Sequence, residues 1–217
     1  GITGRDLLLD SGTGAQELLA LGFGFSTFRW AAPTGTARSV SDLAGRRIAT
    51  SYRGLVGSAL SAAGVSAQIV GLDGAVENAV ALGVADAVAD VVDTGTTLRA
   101  AGLELVGEPI LNSEALLIGR PGADDSAQVV QMLRRLEGVI VARTYVMMEY
   151  DIATSLLEQA SALTPGIESP TVSPLREDGW VAVRAMVPRS DQHTVMDALS
   201  TLGAKGVIVT DIHACRL

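Results

Sequence analysis

The fold class is decided by residues 87–98, which read AVADVVDTGTTL. Residues 87–92 form a short run of apolar side chains broken only by Asp90, which is typical of a strand at the centre of a parallel sheet. A Thr/Gly loop follows, and a helix is expected to start at Thr97. The stretch therefore predicts the strand–loop–helix step of an α/β domain.

The same alternation extends on both sides of this stretch, from Phe25 to about Leu117. The pattern predicts strands over residues 28–32, 47–50, 68–72, 87–92 and 103–109. It predicts helices over residues 55–63, 73–83 and 97–101. Because strands that alternate with helices favour parallel neighbours, we expect a parallel sheet. Residues 1–6, GITGRD, are expected to form a turn.

A different pattern begins at Thr144. Its apolar runs predict strands over residues 145–150, 171–175, 180–187 and 207–212. Helices are expected over residues 153–163 and from Asp191 to Leu202. This order, β-α-β-β-α-β, is that of a ferredoxin-like unit.

Composition excludes several classes of protein. The net charge of −8 argues against a general affinity for nucleic acid, which needs lysines and arginines to displace counterions. A single cysteine, Cys215, allows no intramolecular disulfide and fits a cytoplasmic protein. Gly, Asp and Arg interrupt the apolar stretches well short of the roughly 20 residues of a membrane span.

The loop after residue 92 has the chemistry of a phosphate site. Gly95 allows the backbone to approach a ligand closely, and the first amides of the next helix point at an anion. Three hydroxyl groups are also available, from Thr94, Thr96 and Thr97. Asp90 and Asp93 would instead contact ribose hydroxyls or Mg²⁺. The alternative is an ordinary strand-to-helix loop with a capping threonine.

With its flanks, this loop resembles the signature of the ATP phosphoribosyltransferases: Glu77, five residues, GVADAVAD at 83–90, and then the Thr/Gly loop. Similar blocks of that family are GITGRD at 1–6, LGFG at 21–24, DGAVE at 73–77 and NSEA at 112–115. LTPGIESPT at 163–171 resembles a block of the long form alone. The resemblance covers essentially the whole chain.

The resemblance implies an α/β fold with two-lobed, periplasmic-binding-protein-like catalytic domains and a C-terminal ferredoxin-like regulatory domain. Residues 1–26 and 118–143 would form part of catalytic domain I, residues 27–117 domain II, and residues 144–217 the regulatory domain. The implied enzyme is a glycosyltransferase of histidine biosynthesis. It joins ATP to phosphoribosyl pyrophosphate (PRPP), gives phosphoribosyl-ATP and pyrophosphate, requires Mg²⁺, and is feedback-inhibited by histidine.

The resemblance also implies roles for individual residues. Asp93, Thr94, Gly95, Thr96 and Thr97 would cradle the 5′-phosphate of PRPP. Asp90 would hold the ribose hydroxyls and is the candidate catalytic residue. The adenine of ATP would lie near Asp6, Leu7 and Tyr52. The residue types alone leave other roles open, since Tyr52 could be a packing residue, Asp6 a helix cap, and Glu77 an ion-pair partner as readily as a ligand contact.

In the regulatory unit, the resemblance implies a histidine site lined by Asp151, Ile167, Thr171 and Gly206. Asp151 could pair with the ammonium or imidazole group of histidine, and Thr171 could bond its polar end. A purely structural oligomerisation unit is the alternative. The family implies homo-oligomers, as dimers and hexamers.

The sequence departs from the family in two places. Gly95-Thr96-Thr97 stands where many members have Gly-Arg-Thr or Gly-Ala-Thr, which removes a possible cation but keeps a hydroxyl. The chain also starts at Gly1, so we expect that an N-terminal segment with pyrophosphate-binding basic residues is missing. Its absence would expose sheet edges. We therefore expect this polypeptide alone to be inactive and poorly soluble.

Two other functional classes compete with the transferase. A non-catalytic solute-binding module would share the two-lobed fold, and a histidine-sensing adaptor would need only residues 144–217. Separate measurements of PRPP and histidine binding discriminate the three.

Overall fold

The computed structural model describes residues 1–93 and 95–216, and the chain divides into two compact units, Gly1–Ser126 and Ala127–Leu217. The first unit has eight described strands: β1 Ile2–Gly4, β2 Gln16–Ala20, β3 Ser26–Pro33, β4 Arg47–Thr50, β5 Gln68–Gly71, β6 Ala87–Val92, β7 Leu103–Ser113 and β8 Ala115–Gly119. Its α-helices in the described residues are α1 Arg5–Ser11, α2 Arg53–Ala62 and α3 Thr96–Ala100.

These strands form two sheets. The smaller sheet has the order β1-β8-β2 and is antiparallel throughout. The larger has the order β5-β4-β6-β3-β7. The chain passes from one sheet to the other between β2 and β3, and again between β7 and β8. The α/β class is confirmed, and the two sheets agree with the two-lobed expectation.

The expectation of a parallel sheet was wrong for half of the larger sheet. β4 runs parallel to both β5 and β6, but β3 runs antiparallel to both β6 and β7. The sequence could not reveal this, because a buried apolar strand such as Phe28–Ala32 has the same side-chain pattern in either direction.

Both faces of the larger sheet are covered. On one face, Phe28, Trp30 and Ile48 pack with the apolar side of α2. On the other, Ala31, Val88 and Val92 pack with Leu98 of α3 and with the segment around Val76. Burial on both sides explains why apolar side chains dominate β3 and β6, each of which carries one charged residue, Arg29 and Asp90. It also leaves the strand ends as the places where polar side chains can reach a ligand.

Two further expectations were wrong. Residues 73–83 form only a short 3₁₀ turn, Val76–Asn78, rather than a full helix. Ala75 precedes it with φ 50°, a left-handed conformation that interrupts the helical path. Residues 1–6 are not a turn: they contain β1 and the start of α1, because Ile2–Gly4 pairs with Ala115–Leu117 far along the chain.

The second unit begins with helix α4, Ala127–Thr144, and continues with α5 Leu157–Leu163 and α6 Gln192–Leu202. Its strands are β9 Tyr145–Ala153, β10 Thr171–Pro174, β11 Trp180–Pro188 and β12 Lys205–Asp211. They form an antiparallel sheet of order β10-β11-β9-β12. The predicted β-α-β-β-α-β, ferredoxin-like arrangement is confirmed, although α5 starts later than expected because Ala153 ends β9 and a 3₁₀ turn covers residues 154–156.

The side chains of β9 alternate between buried and partly exposed along its whole length. Val146, Met148, Tyr150 and Ile152 are buried, and they belong to the core of this unit together with Leu199 of α6. One face of the sheet is therefore packed against helices, and the residues between them point to the other face. The division of the chain into catalytic and regulatory domains stays a prediction. Across the described residues, no helix is both long and apolar enough to cross a membrane.

Candidate active site

Helix α1 is capped by residues far away in the sequence. Gly4, its N-cap, supplies no side chain for the first free amide groups. Instead the amide of Arg5 donates to the carbonyl oxygen of Glu114 at 3.0 Å. The amide of Asp6 donates to Ser113 Oγ at 3.1 Å. The end of β7 and the residue after it thus fix the position of α1.

The carboxylate of Asp6 is held by the same serine. Ser113 Oγ donates to Asp6 Oδ1 at 2.8 Å, and the two residues are only 4% and 7% exposed. A buried carboxylate needs such donors to remain in place. Asp6 lies in the first turn of α1, one residue after the N1 position, so it is not the helix cap that was the alternative role for it. Leu7 follows and is 52% exposed, open to a ligand beside Asp6.

Tyr52 lies next to Asp6, at the start of α2. Its ring contacts Phe28 edge-on, with 5.0 Å between ring centroids, so part of it is a packing surface. Its hydroxyl end faces acidic groups instead. Burial raises the pKa of Tyr52 to about 12, and the proximity and charge of Asp6 and the charges of Asp90 and Asp10 add to the rise. Tyr52 therefore stays a protonated phenol at neutral pH.

Asp10 performs for α2 the capping role that Ser113 performs for α1. Its Oδ1 accepts a hydrogen bond of 3.0 Å from the amide of Leu55, in the first turn of α2. The backbones of α1 and α2 approach so closely here that a Cβ at Gly54 would lie 2.4 Å from the carbonyl oxygen of Asp10. Asp6 and Asp10 are four residues apart on α1, so one helix face carries both carboxylates.

Asp90 lies near the carboxyl end of β6, half-buried. Its Oδ1 accepts a 2.8 Å hydrogen bond from the amide of Val91. Burial raises the pKa of Asp90 above its usual value, the Val91 hydrogen bond opposes that rise, and the negative charge of Glu77 adds to it. The short turn at residues 76–78 therefore brings a second carboxylate close to Asp90.

The loop after β6 is partly described. Asp93 is exposed, Gly95 is buried with φ 70°, and Thr96 and Thr97 are exposed at the start of α3. Thr94, a predicted phosphate contact, falls outside the described residues. A cavity of about 360 Å³ has Asp93 on one side and Ser113 on the other. Of the predicted phosphoribosyl residues, Asp93 therefore borders this open space, together with Ser113, the residue that holds Asp6.

Three of the four residues predicted to bind histidine lie on the sheet of the second unit. Asp151, Thr171 and Gly206 line a cavity of about 510 Å³, which also contains the ion pair of Arg184 with Glu149. Gly206, at φ 58°, lies where the pairing of β12 with β9 shifts register. Ile167 is exposed in the connection between α5 and β10 and does not line this cavity.

Among the described residues, no three His, Cys, Asp or Glu side chains come together in a way that could hold a metal ion. The acidic groups near Asp90 thus do not form an all-protein metal cage. Mg²⁺ commonly binds proteins through one or two carboxylates plus the phosphates of its substrate, and the site fits only that second mode.

Sequence reasoning missed three residues of this site, Asp10, Glu77 and Ser113. The spacing of Asp6 and Asp10 was a usable signal, since residues four apart share a helix face. Glu77 was considered and left out because, on the predicted helix, it could be an ion-pair partner as readily as a ligand contact. Ser113 was inside the NSEA block, but nothing in the sequence shows that it would meet Asp6, 107 residues earlier.

Comparisons with known proteins agree with the resemblance. The sequence profile described as ATP phosphoribosyltransferase matches residues 1–138, and that described as HisG, C-terminal domain, matches residues 142–214. The ATP phosphoribosyltransferase of Streptomyces avermitilis is 59% identical, over 100% of this chain and 78% of its own length. That of Micrococcus luteus is also 59% identical, over 100% and 77%.

Among solved structures, the ATP phosphoribosyl transferase (HisG:HisZ) complex from Thermotoga maritima matches with a TM-score of 0.56 and 26% identity. The match covers 63% of this chain and 67% of that one. The two sequence profiles account for both units, including the C-terminal domain of the long form. The chain therefore belongs to the ATP phosphoribosyltransferase family, in its long form.

Proposed function

We propose that this enzyme joins ATP and PRPP to give phosphoribosyl-ATP and pyrophosphate, the first step of histidine biosynthesis. The observation that carries this reaction is the grouping of the predicted nucleotide and phosphoribosyl residues. Tyr52 is close enough to both Asp6 and Asp90 for the charges of these carboxylates to raise the pKa of Tyr52. Two substrates bound at these residues would meet at their reacting ends.

The acidic character of the site suits this chemistry. A ring nitrogen of adenine uses its lone pair to bond the anomeric carbon, and pyrophosphate leaves with the electron pair of the broken C–O bond. The ribose gains positive charge in the transition state. A carboxylate fixed beside it stabilises that charge, and Asp90 is the group placed to do so. The enzyme then has little covalent chemistry to perform beyond holding two substrates in line.

The phosphoribosyl end would bind at residues 93–97. Gly95 has a left-handed backbone that brings the chain close to a ligand, and the hydroxyl groups of Thr96 and Thr97 lie at the exposed start of α3. Asp90 would bind the ribose hydroxyls one step further into the sheet. Mg²⁺, when bound with the substrate, would neutralise the charge of the departing pyrophosphate.

The nucleotide end would bind at Asp6, Leu7 and Tyr52. The exocyclic amino group of adenine is a hydrogen-bond donor, and the Asp6 carboxylate is an acceptor. Because Tyr52 remains protonated, its phenol can donate one hydrogen bond and accept another, but it cannot act as a base at neutral pH. The exposed Leu7 would give the adenine ring an apolar contact.

Turnover of ATP with PRPP, measured on the full-length protein together with separate binding titrations of PRPP and of histidine, tests the proposal. We expect pyrophosphate and phosphoribosyl-ATP in equal amounts and binding of both small molecules. Binding of PRPP alone would leave an unregulated transferase, and binding of histidine alone would leave a sensor. A crystal soaked with PRPP that placed the ligand away from residues 90–97 would overturn the site.

We further infer that the second unit binds histidine as a feedback inhibitor. Asp151 and Thr171 face the same cavity, so a carboxylate and a hydroxyl are available to an amino acid. Feedback requires that histidine bind two states of the enzyme with different affinity. Titrating histidine during turnover tests this inference. We also propose that the enzyme is cytoplasmic and forms dimers and hexamers, and sedimentation tests the oligomeric state.

A further inference from the structure

We propose that Ser113 is a positioning residue for ATP: it orients the Asp6 carboxylate so that the remaining acceptor positions face the adenine amino group. The inference rests on the proposed nucleotide role of Asp6. It adds a residue that touches no substrate, and it makes Ser113 a determinant of base specificity.

The first step is the direction of the hydrogen bonds. An amide can only donate, so Ser113 Oγ must accept from the Asp6 amide. The single hydroxyl proton is then free for Asp6 Oδ1, 2.8 Å away. The two bonds form a closed pair between one serine and one aspartate. Neither group can rotate without breaking a bond in a buried place, which costs far more than at the surface.

The second step is the stiffness of the support. Ser113 is the last residue of β7 and pairs in register with Ser26 of β3. The next residue, Glu114, accepts the amide of Arg5 through its carbonyl and pairs with the Arg5 guanidinium through its side chain. The hydroxyl is thus fixed to a strand and its neighbour, which position a group more accurately than a free loop.

The third step comes from Gly4. A Cβ added at Gly4 would lie 2.2 Å from Asp6 Oδ1, so the carboxylate oxygen occupies space that only glycine leaves free. Gly4 has φ −74° and ψ 149°, a conformation open to any residue, so its backbone does not require glycine. Glycine is needed at position 4 because a side chain there would occupy the space of the Asp6 oxygen that accepts the hydrogen bond from Ser113.

The hydrogen bonds that Asp6 already makes determine which base its carboxylate can recognise. With Asp6 Oδ1 held by Ser113 and the phenol of Tyr52 beside the carboxylate, the acceptor positions left for a ligand have one direction. An acceptor so placed favours a base with an amino group over one with a carbonyl group at the same position. ATP has the amino group and ITP the carbonyl, so the ratio of their kcat/KM values reports on the arrangement.

The experiment compares Ser113→Ala and Gly4→Ala in the full chain. Both displace the Asp6 carboxylate, one by removing its donor and the other by occupying its place. We expect each to raise KM for ATP about tenfold and to lower the ATP/ITP preference by a similar factor, as for a lost bond to a charged group. KM for PRPP should change less than about twofold, and Ser113→Thr, which keeps the hydroxyl, should restore most of the ATP affinity.

Matched controls separate positioning from a general loss of stability. Ser58→Ala removes an exposed hydroxyl from α2, and Gly14→Ala adds a methyl group where no atom lies within 4 Å. Both should leave the ATP/ITP ratio unchanged. If Ser113→Ala does not fold, Ser113→Cys keeps the side-chain volume with a weaker donor and should show a smaller shift in the same direction.

The outcomes also separate this inference from the proposed function. Asp6→Asn should raise KM for ATP if Asp6 contacts adenine at all. If Asp6→Asn raises it while folded Ser113→Ala and Gly4→Ala leave both KM and the ATP/ITP ratio unchanged, the positioning role of Ser113 is wrong. If Asp6→Asn also has no effect, the nucleotide role of Asp6 fails first.

Discussion

Asp6 in the first unit and Asp151 in the second are both proposed to bind a ligand, but their surroundings differ. Asp6 is buried, and Ser113 donates a hydrogen bond to it before any substrate arrives, with Tyr52 beside the carboxylate. Asp151 lines an open cavity on a sheet face, and among the described residues none donates a hydrogen bond to its side chain. The first site is organised by the fold, whereas the second leaves its carboxylate for the ligand to satisfy.

The difference has an energetic consequence. A substitution in the first site changes the structure and ligand binding together, because each side chain also supports its neighbours. A substitution on the open sheet face removes a ligand contact and little else. The two proposed sites can therefore be separated by measuring stability, turnover and histidine affinity on the same set of variants.

Asp90→Asn should have the largest effect. The amide keeps the size of the side chain and can still accept the Val91 hydrogen bond, but it cannot stabilise a cationic ribose. We expect kcat to fall on the order of 100-fold, comparable to removing one electrostatic contact to a transition state. Steady-state rates at saturating ATP and PRPP provide the measurement.

The free energy of unfolding of Asp90→Asn should not fall together with its turnover rate. Because burial raises the pKa of Asp90, the folded protein disfavours the charged form, and a neutral amide removes that cost. Glu108→Gln, at an exposed position of β7, is the matched charge-removing control. If Asp90→Asn kept more than a third of the wild-type rate, the catalytic role of Asp90 would be excluded.

Gly54→Ala should have the next largest effect and tests how far α1 and α2 depend on each other. The added Cβ would clash with the backbone oxygen of Asp10, so the helices must separate and the Asp10–Leu55 bond must weaken. We expect a loss of about 2 kcal/mol in the free energy of unfolding, as for overpacking, measured by denaturant titration.

The same helix offers a control for this variant. Gly57→Ala places its Cβ at an ordinary 3.6 Å from Ile69 Cδ1, and alanine favours helix more than glycine does. It should leave the protein as stable as before or more so. If Gly54→Ala and Gly57→Ala lost the same free energy of unfolding, the close approach of α1 and α2 would not explain why glycine stands at position 54.

Asp151→Asn should weaken histidine binding about tenfold, as expected for a lost charge-assisted hydrogen bond. The open surroundings of Asp151 predict almost no change in the unfolding midpoint, in contrast to substitutions in the first unit. Isothermal titration with histidine gives the affinity. Asp197→Asn, an exposed carboxylate on α6, is the control, and unchanged affinity in Asp151→Asn would remove Asp151 from the proposed site.

Sequence alone was enough for the α/β class, the ferredoxin-like unit and the strand at residues 87–92, since each depends on local apolar periodicity. It failed where distant segments decide. The direction of β3 depends on its neighbours in the sheet, and Ile2–Gly4 forms a strand only because Ala115–Leu117 lies beside it. The roles of Ser113 and Asp10 could not be predicted for the same reason. When a helix is capped by a residue of another element, the sequence of that helix does not show it.

Tyr52→Phe should have the smallest effect and is the most specific test of the preorganised site. Removing the hydroxyl takes a neighbouring polar group away from Asp6, while Ser113 still holds that carboxylate. We therefore expect KM for ATP to rise only about threefold, less than for a lost bond to a sole partner. The ring contact with Phe28 is kept, so folding at neutral pH should be little affected.

The pH dependence of stability distinguishes this environment from an ordinary surface tyrosine. An unfolded tyrosine ionises near pH 10, whereas the folded Tyr52 has a pKa of about 12. The folded state therefore holds a proton that the unfolded state releases. Stability linked to Tyr52 is fully present below pH 10 and is lost as the pH rises towards 12.

A comparison of the wild type with Tyr52→Phe isolates this contribution. Tyr150, whose pKa burial also raises, is present in both proteins, so its contribution cancels. Unfolding free energies at pH 9, 10 and 11 should fall more steeply for the wild type than for Tyr52→Phe. Parallel curves would show that the hydroxyl is as open to water as any surface phenol, and the site would then not be organised before ATP binds.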